Sequence, residues 1–236
     1  MQDDFESQVA GVAALNDPVR RSLYVHVASS TDAVGREEAA AAVGVQRALA
    51  AFHLDKLVDE GLLEFEYRRL TGRTGPGAGR PAKVYRRSRR QIEISLPARE
   101  YDLAGRLLAR AITAAERSGR AVRAELESEA FAFGEAVGAE ILARAGARSS
   151  KARQRRALLE VLARHGFEPR QPGDDIVLAN CPFHALAQQF SELVCGMNLH
   201  LMRGVHSRLG AGADHLEPQL APAPGRCCVT FGRTAG

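Results

Sequence analysis

The sequence predicts an α+β fold, mainly α, in two parts. Apolar residues recur at three- and four-residue spacing over most of the chain, the period of helices that pack by one face. A single stretch breaks that rhythm: Leu62–Tyr67 and Lys83–Arg86 have strand character and bracket a segment rich in glycine and proline. All 4 cysteines fall after residue 180, at Cys181, Cys195, Cys227 and Cys228. With 236 residues, 45% hydrophobic and 25% charged, the chain can bury a core, which argues against a mainly disordered chain. No run approaches the roughly 20 apolar residues of a membrane span. The start, Met1-Gln2-Asp3-Asp4, lacks the basic-then-apolar order of a signal peptide, so a cytoplasmic location is expected.

The first helix signal is Asn16-Asp17-Pro18, with Asp17 as N-cap and Pro18 at the first helical position. That helix runs from Val19 to about Ala28, and a Ser/Thr/Asp loop follows. A short Ala-rich helix spans Arg36 to Val43, Gly44 breaks it, and a longer helix runs from about Gln46 to Glu60, stopped by Gly61. A short helix, a tight turn and a longer helix make the helix-turn-helix pattern. The two strands that follow, with Thr71–Pro81 between them, add a wing. Charge agrees: Leu62–Arg90 holds nine basic residues against Glu64 and Glu66, net +7, whereas the whole chain carries +4. A basic wing beside a helix-turn-helix is the footprint expected on duplex DNA, and a merely solvated charge run is the plainer reading.

The N-terminal end of the longer helix would read base edges. Leu49, Phe52, Leu57 and Leu62-Leu63 are assigned to the core. Gln46, Arg47, Ala50, His53 and Lys56 are assigned to the exposed face, with His53 also readable as a plain surface histidine. Arg80, between Gly79 and Pro81 at the wing tip, suits a narrow minor groove. Arg73, Lys83, Arg86 and Arg87 would meet phosphates, which gives affinity and salt dependence but no sequence choice. One such module binds weakly, so a homodimer spanning half-sites about 34 Å apart is expected.

A boundary near Arg90 separates a DNA-binding domain, residues 1–90, from a second domain, residues 91–236. Gln91–Leu96 alternates and Pro97 follows. Helical stripes then run over Pro97 to about Glu116, Arg120 to Ala145 and Ser150 to His165, stopped by Gly166. Gly173-Asp174-Asp175 is a turn, Ile176-Val177-Leu178 a short strand, and Arg226–Gly232 a closing strand. The stripes over Pro97 and Arg120 serve as core or as a dimer seam.

The cysteine spacing, Cys-x13-Cys-x31-Cys-Cys, is not that of a zinc knuckle. In one unbroken helix Cys181 and Cys195 would lie about 21 Å apart and could not share a ligand. Ser191-Glu192 supplies a break, with a new helix running to about Leu209 and Cys195 in its first turns, where the helix dipole favours a thiolate. On a strand Cys227 and Cys228 face opposite ways. Cys227, with Val229 and Phe231, is assigned inward, and Cys228, with Thr230, outward. Cys181, Cys195 and Cys227 then converge, and either His184 or Cys228 fills a fourth position. The alternative is four small buried hydrophobes with no ligand.

Asp17-Pro18-Val19-Arg20, the winged helix and Gly79-Arg80-Pro81-Ala82-Lys83-Val84-Tyr85 resemble ArsR-like regulators. Asn180-Cys181-Pro182-Phe183-His184, Cys195-Gly196-Met197-Asn198 and Pro224-Gly225-Arg226-Cys227-Cys228 are similar to the C-terminal domain of SufR-type regulators, repressors of iron–sulfur cluster assembly. The resemblance covers nearly the whole chain. It implies a C-terminal sensor and dimerisation domain in which Cys181, Cys195 and Cys227 hold a 4Fe–4S cluster. The spacing between the second and third of these departs from the family, and the last cysteine is doubled. The expected function is a DNA-binding transcriptional regulator, in the first place a repressor, with a cluster-dependent operator affinity. The alternative is the same module responding to zinc, a thiol oxidant or a small organic ligand. An enzyme with Cys181 as nucleophile and His184 as base is geometrically possible, but no oxyanion-hole, Walker or dinucleotide motif accompanies it, so no catalytic residue is assigned.

Overall fold

A computed structural model describes residues 2–69, 81–146, 149–209 and 216–233, the side chains of residues 2–4 aside. It is mixed α and β, mainly helical, and divides into two compact units, Met1–Ile94 and Ser95–Gly236. Among the described residues no helix is long and apolar enough to cross a membrane.

The first unit opens on α1 (Gln2–Ala14), which the sequence reading does not contain, and continues with α2 (Pro18–Ser29), β1 (Val34–Gly35), α3 (Arg36–Val43), α4 (Arg47–Asp59), β2 (Leu63–Arg68) and β3 (Ala82–Arg87). Asp17 caps α2 by accepting the Arg20 N–H at 2.8 Å, with Pro18 opening the helix. Gly44 closes α3 at φ 72°, a left-handed conformation that L side chains adopt at a cost. The strands form an antiparallel sheet in the order β1-β3-β2, with Tyr85 opposite both Val34 and Phe65. Leu23, Val27, Ala39, Ala50, Leu54, Leu57 and Tyr85 form the core. Gln91–Leu96, despite its alternation, joins no sheet.

The second unit contains α5 (Tyr101–Ser118), α6 (Val122–Ala145), α7 (Lys151–Arg164), β4 (Pro169–Arg170), β5 (Ile176–Leu178), α8 (His184–Gln189), α9 (Ser191–Leu209), β6 (Leu216–Leu220) and β7 (Val229–Arg233). Its sheet is antiparallel in the order β4-β5-β7-β6. The break before Ser191 lies at the Ser191-Glu192 step that the sequence marks. Close packing of α6 on α9 rests on glycine. A Cβ on Gly134 would stand 1.9 Å from the Leu201 carbonyl oxygen, and one on Gly204 2.0 Å from that of Phe131, so only hydrogen fits at either place. Leu126, Ile141, Leu162, Phe167, Phe183, Met202 and Phe231 fill the core.

Candidate functional site

In the first unit the register of α4 differs from the expected one. Ala50, His53, Leu54 and Leu57 face the core, whereas Leu49 and Phe52 are 42% and 64% exposed. Both sets have helical spacing, so periodicity alone does not choose between them. The small Ala50 lets the helix approach its neighbours, and the wider face of Leu54 and Leu57 follows it inward. His53 is therefore not an exposed reader. It is 6% exposed, and its Nδ1 accepts from Arg20 Nε at 3.4 Å. Gln46 is the exposed N-cap of α4, and Arg47 opens the helix in solvent, 3.2 Å from Glu37. Lys56 pairs with Glu60 at 2.7 Å.

Asp55, which the sequence reading passes over, organises this unit. Its Oδ1 accepts from Tyr85 Oη and from Lys83 Nζ, each at 2.6 Å, and its Oδ2 accepts from Arg36 at 2.7 Å. Arg36 Nε also donates to Tyr85 Oη at 2.8 Å, and Lys83 Nζ stands 3.9 Å from the centre of the Phe65 ring. One carboxylate thus ties α3, α4 and β3 together. Burial pulls its carboxyl upward, but donation from Lys83 and Tyr85 and the charge of Arg36 outweigh this and hold it below the usual value. Lys83 is consequently engaged inside the unit and does not stand free in solvent. Arg86 is exposed and 3.2 Å from Glu64, and Arg87 is exposed. Arg73 and Arg80 lie outside the described residues.

The second unit brings the four sulfurs together as a line. Cys181 lies beside Cys227, Cys227 beside Cys228, and Cys228 beside Cys195. All four are free thiols. They come from three segments. Cys181 lies between β5 and α8, its carbonyl oxygen accepting from His184 N–H at 3.1 Å and from Arg99 at 3.2 Å. Cys195 is in the second turn of α9. Cys227 and Cys228 lead into β7 and are not on a strand, so the expected alternation does not apply. Cys227 N–H donates to the Leu178 carbonyl at 2.8 Å, and the Cys228 carbonyl accepts from Ala221 N–H at 2.8 Å. Cys227 is fully buried, as expected. Cys228, assigned outward, instead lies between Cys227 and Cys195. Thr230, also assigned outward, is buried because β7 is covered on both faces. His184 opens α8 and is exposed.

Electrostatics favour the thiol over the thiolate here. The contact with Cys227 and burial push Cys181 up, against a Phe183 N–H that donates to its sulfur and the charge of Arg99. Contact with Cys181 favours the Cys227 thiolate, but contact with Cys228 and burial prevail and push its pKa up to about 12. Burial also raises Cys195. Asn198, 1% exposed, donates from Nδ2 to Cys227 Sγ at 3.1 Å, and its Oδ1 is buried with no hydrogen-bond partner. Val229 N–H donates to the same sulfur.

Four soft sulfur donors, with three N–H groups aimed at two of them, are the donor chemistry that a thiolate-bound metal group needs. Among the described residues, no group of three or more His, Cys, Asp and Glu side chains is arranged to hold a metal ion. A site for one metal ion is therefore not preformed. The sulfurs would have to exchange S–H contacts for metal bonds as they lose their protons. In comparisons with known proteins, no family model, no curated protein and no solved structure matches this chain.

Proposed function

We propose that the chain is a DNA-binding transcriptional regulator, a repressor, whose operator affinity is set by an iron–sulfur cluster held in the second unit. The observation that carries this reading is the line of four thiols drawn from three segments, with backbone and amide N–H groups donating to its buried sulfurs. Hydrogen bonds to sulfur and a dry surround are what tune such clusters. Cys181, Cys195 and Cys227 would hold the group, with Cys228 or His184 as the fourth ligand. When bound, a cluster supplies one-electron redox chemistry and sensitivity to oxidants.

The rest of the mechanism belongs to the chain. Asn198, Phe183 N–H and Val229 N–H stabilise negative charge on sulfur. Cys195 rides on α9, and α9 is locked to α6 at Gly134 and Gly204, so a shift of Cys195 passes to α6 rather than dissipating in side chains. In the first unit, α3, the Gly44 turn, α4 and the β2–β3 hairpin support a winged helix-turn-helix, with Gln46 and Arg47 at the end that enters a major groove. Phe5, Val9 and Val12 form an exposed apolar row on α1, the kind of surface that a second copy covers in a homodimer.

Anaerobic purification with an absorbance spectrum and iron and sulfide counts, run beside a DNA-shift assay, tests this. Expected are a coloured protein with matching iron and sulfide and a DNA complex that changes when the iron is removed. A colourless, iron-free protein with unchanged DNA binding overturns it.

A further inference from the structure

The outward face of α4 is apolar. Leu49 and Phe52, expected in the core, are exposed and join no core cluster among the described residues. Ala48 is exposed beside them, and both Ala48 and Leu49 stand one turn before Phe52, so the three side chains form one patch. The Phe52 ring is anchored: its centre lies 5.3 Å from that of the buried His53, edge to face. The acid nearest the patch along α4, Asp55, is tied inward to Arg36, Lys83 and Tyr85. Arg47 borders the patch at the helix start, and Leu62–Arg90 of the same unit carries net +7. That charge suits a polyanion, and the patch requires that the polyanion also offer apolar groups.

We infer that Leu49 and Phe52 select thymine in the operator by packing on its 5-methyl group. The inference rests on the proposed function, in which α4 enters the major groove. There the thymine methyl is the one apolar substituent that base edges present, the rest being hydrogen-bond donors and acceptors. A hydrocarbon side chain pairs with none of those, and pressing it on them strips their water without return. RNA lacks the methyl, and the deep, narrow major groove of its duplex does not admit side chains. From Gln46 to Phe52 the helix rises about 9 Å, or about three base-pair steps. Gln46 and Arg47 are thus placed for polar base edges, and Leu49 and Phe52 for methyl groups one to three steps further on. Each methyl covered is expected to raise affinity about fourfold.

The test uses the full chain to enrich duplexes from a random-sequence DNA library. Binding to the enriched duplex is then measured with each thymine in turn replaced by uracil, which lacks only the methyl. Expected is about fourfold weaker binding at one or two neighbouring positions of each half-site. Those penalties should vanish in the double variant Leu49→Ala/Phe52→Ala, which should bind the thymine and uracil duplexes alike. The uracil series on the unaltered chain stands whether or not the variant folds, and urea unfolding of the variant checks its fold. Hydrocarbon side chains hold no phosphate, so the slope of log affinity against log salt should be the same in both proteins. Uracil tolerated at every position overturns the inference, as does a penalty that persists in the folded variant. A variant that falls from dimer to monomer in sedimentation also overturns it, since the patch then belongs to a second copy. Enrichment of no duplex at all overturns the DNA-binding reading itself, so the two failures are told apart.

Discussion

The phenol of Tyr85 donates to the carboxylate of Asp55 at 2.6 Å, and this bond joins the sheet of the first unit to the helix proposed to enter the DNA groove. Tyr85 is fully buried, and its pKa is raised by burial and by this bond, so it remains a donor throughout the working range of pH. Removing Asp55 leaves Tyr85, Lys83 and Arg36 without their shared acceptor. Asp55→Ala is expected to cost about 1–3 kcal/mol in urea unfolding, and Tyr85→Phe about 1 kcal/mol. An effect of Asp55→Ala within error of zero would show that solvent satisfies these groups equally well.

The same carboxylate sets an acid limb. Its folded pKa lies below the ordinary aspartate value of 3.8, so the unfolded chain takes up the proton first as pH falls. The stability contributed by Asp55 is whole above that pH and is lost as pH falls from it through the folded value. Asp55→Asn should flatten the fall of thermal stability on acidification below about pH 4 relative to the unaltered chain. Parallel curves for the two proteins would refute the assignment.

His165 adds an earlier loss. Burial holds its imidazole below the ordinary 6.5; Glu140 opposes this and Arg164 reinforces it. On acidification the unfolded chain protonates near that pH while the folded chain lags, so stability falls as pH drops from 6.5 through the folded value and is unaffected above it. His165→Gln, followed by thermal unfolding between pH 7.5 and pH 5, is expected to lose the steeper part of that decline.

Much of this architecture was legible in the sequence, and the failures have physical causes. Asp17-Pro18, Gly44 and Gly61 mark their turns because capping and left-handed backbone are local requirements. The break before Ser191 is marked by Ser191 itself, a residue type that opens helices, with Glu192 in the first turn. The register of α4 is not local: rows through Leu49 and Phe52 and through Ala50 and Leu54 have the same period, and only the packed neighbours choose. Asp55 escapes notice because Arg36, Lys83 and Tyr85 are distant along the chain and meet only after folding. The strand rule that turns Cys228 outward does not reach it, because β7 starts only at Val229. The apolar row of α1 was readable at Phe5, Val9 and Val12.

Glycine at the α6–α9 contact allows a paired test. Gly204→Ala sets a Cβ 2.0 Å from a backbone oxygen, which cannot move without shifting the helix, and is expected to destabilise the second unit by about 3 kcal/mol or more. Gly196→Ala, on the same helix with nothing within 4 Å of its Cβ, is expected to stabilise by about 0.5–1 kcal/mol through helix propensity. Equal effects from the two would remove the argument that α9 and α6 move as one.

The sulfur line predicts a graded reactivity. In the metal-free native chain near neutral pH, iodoacetamide should label Cys195 and Cys228, which are partly exposed, and spare Cys181 and Cys227. Cys227 is protected twice, by burial and by a pKa pushed up to about 12, because the nucleophile is the thiolate. Replacing Asn198 by Leu removes one N–H aimed at that sulfur, so Cys227 should become no more reactive than before. In urea all four should label alike. Mapping the labelled peptides before and after unfolding checks this, and early labelling of Cys227 would mean that the site opens far more readily than its packing implies.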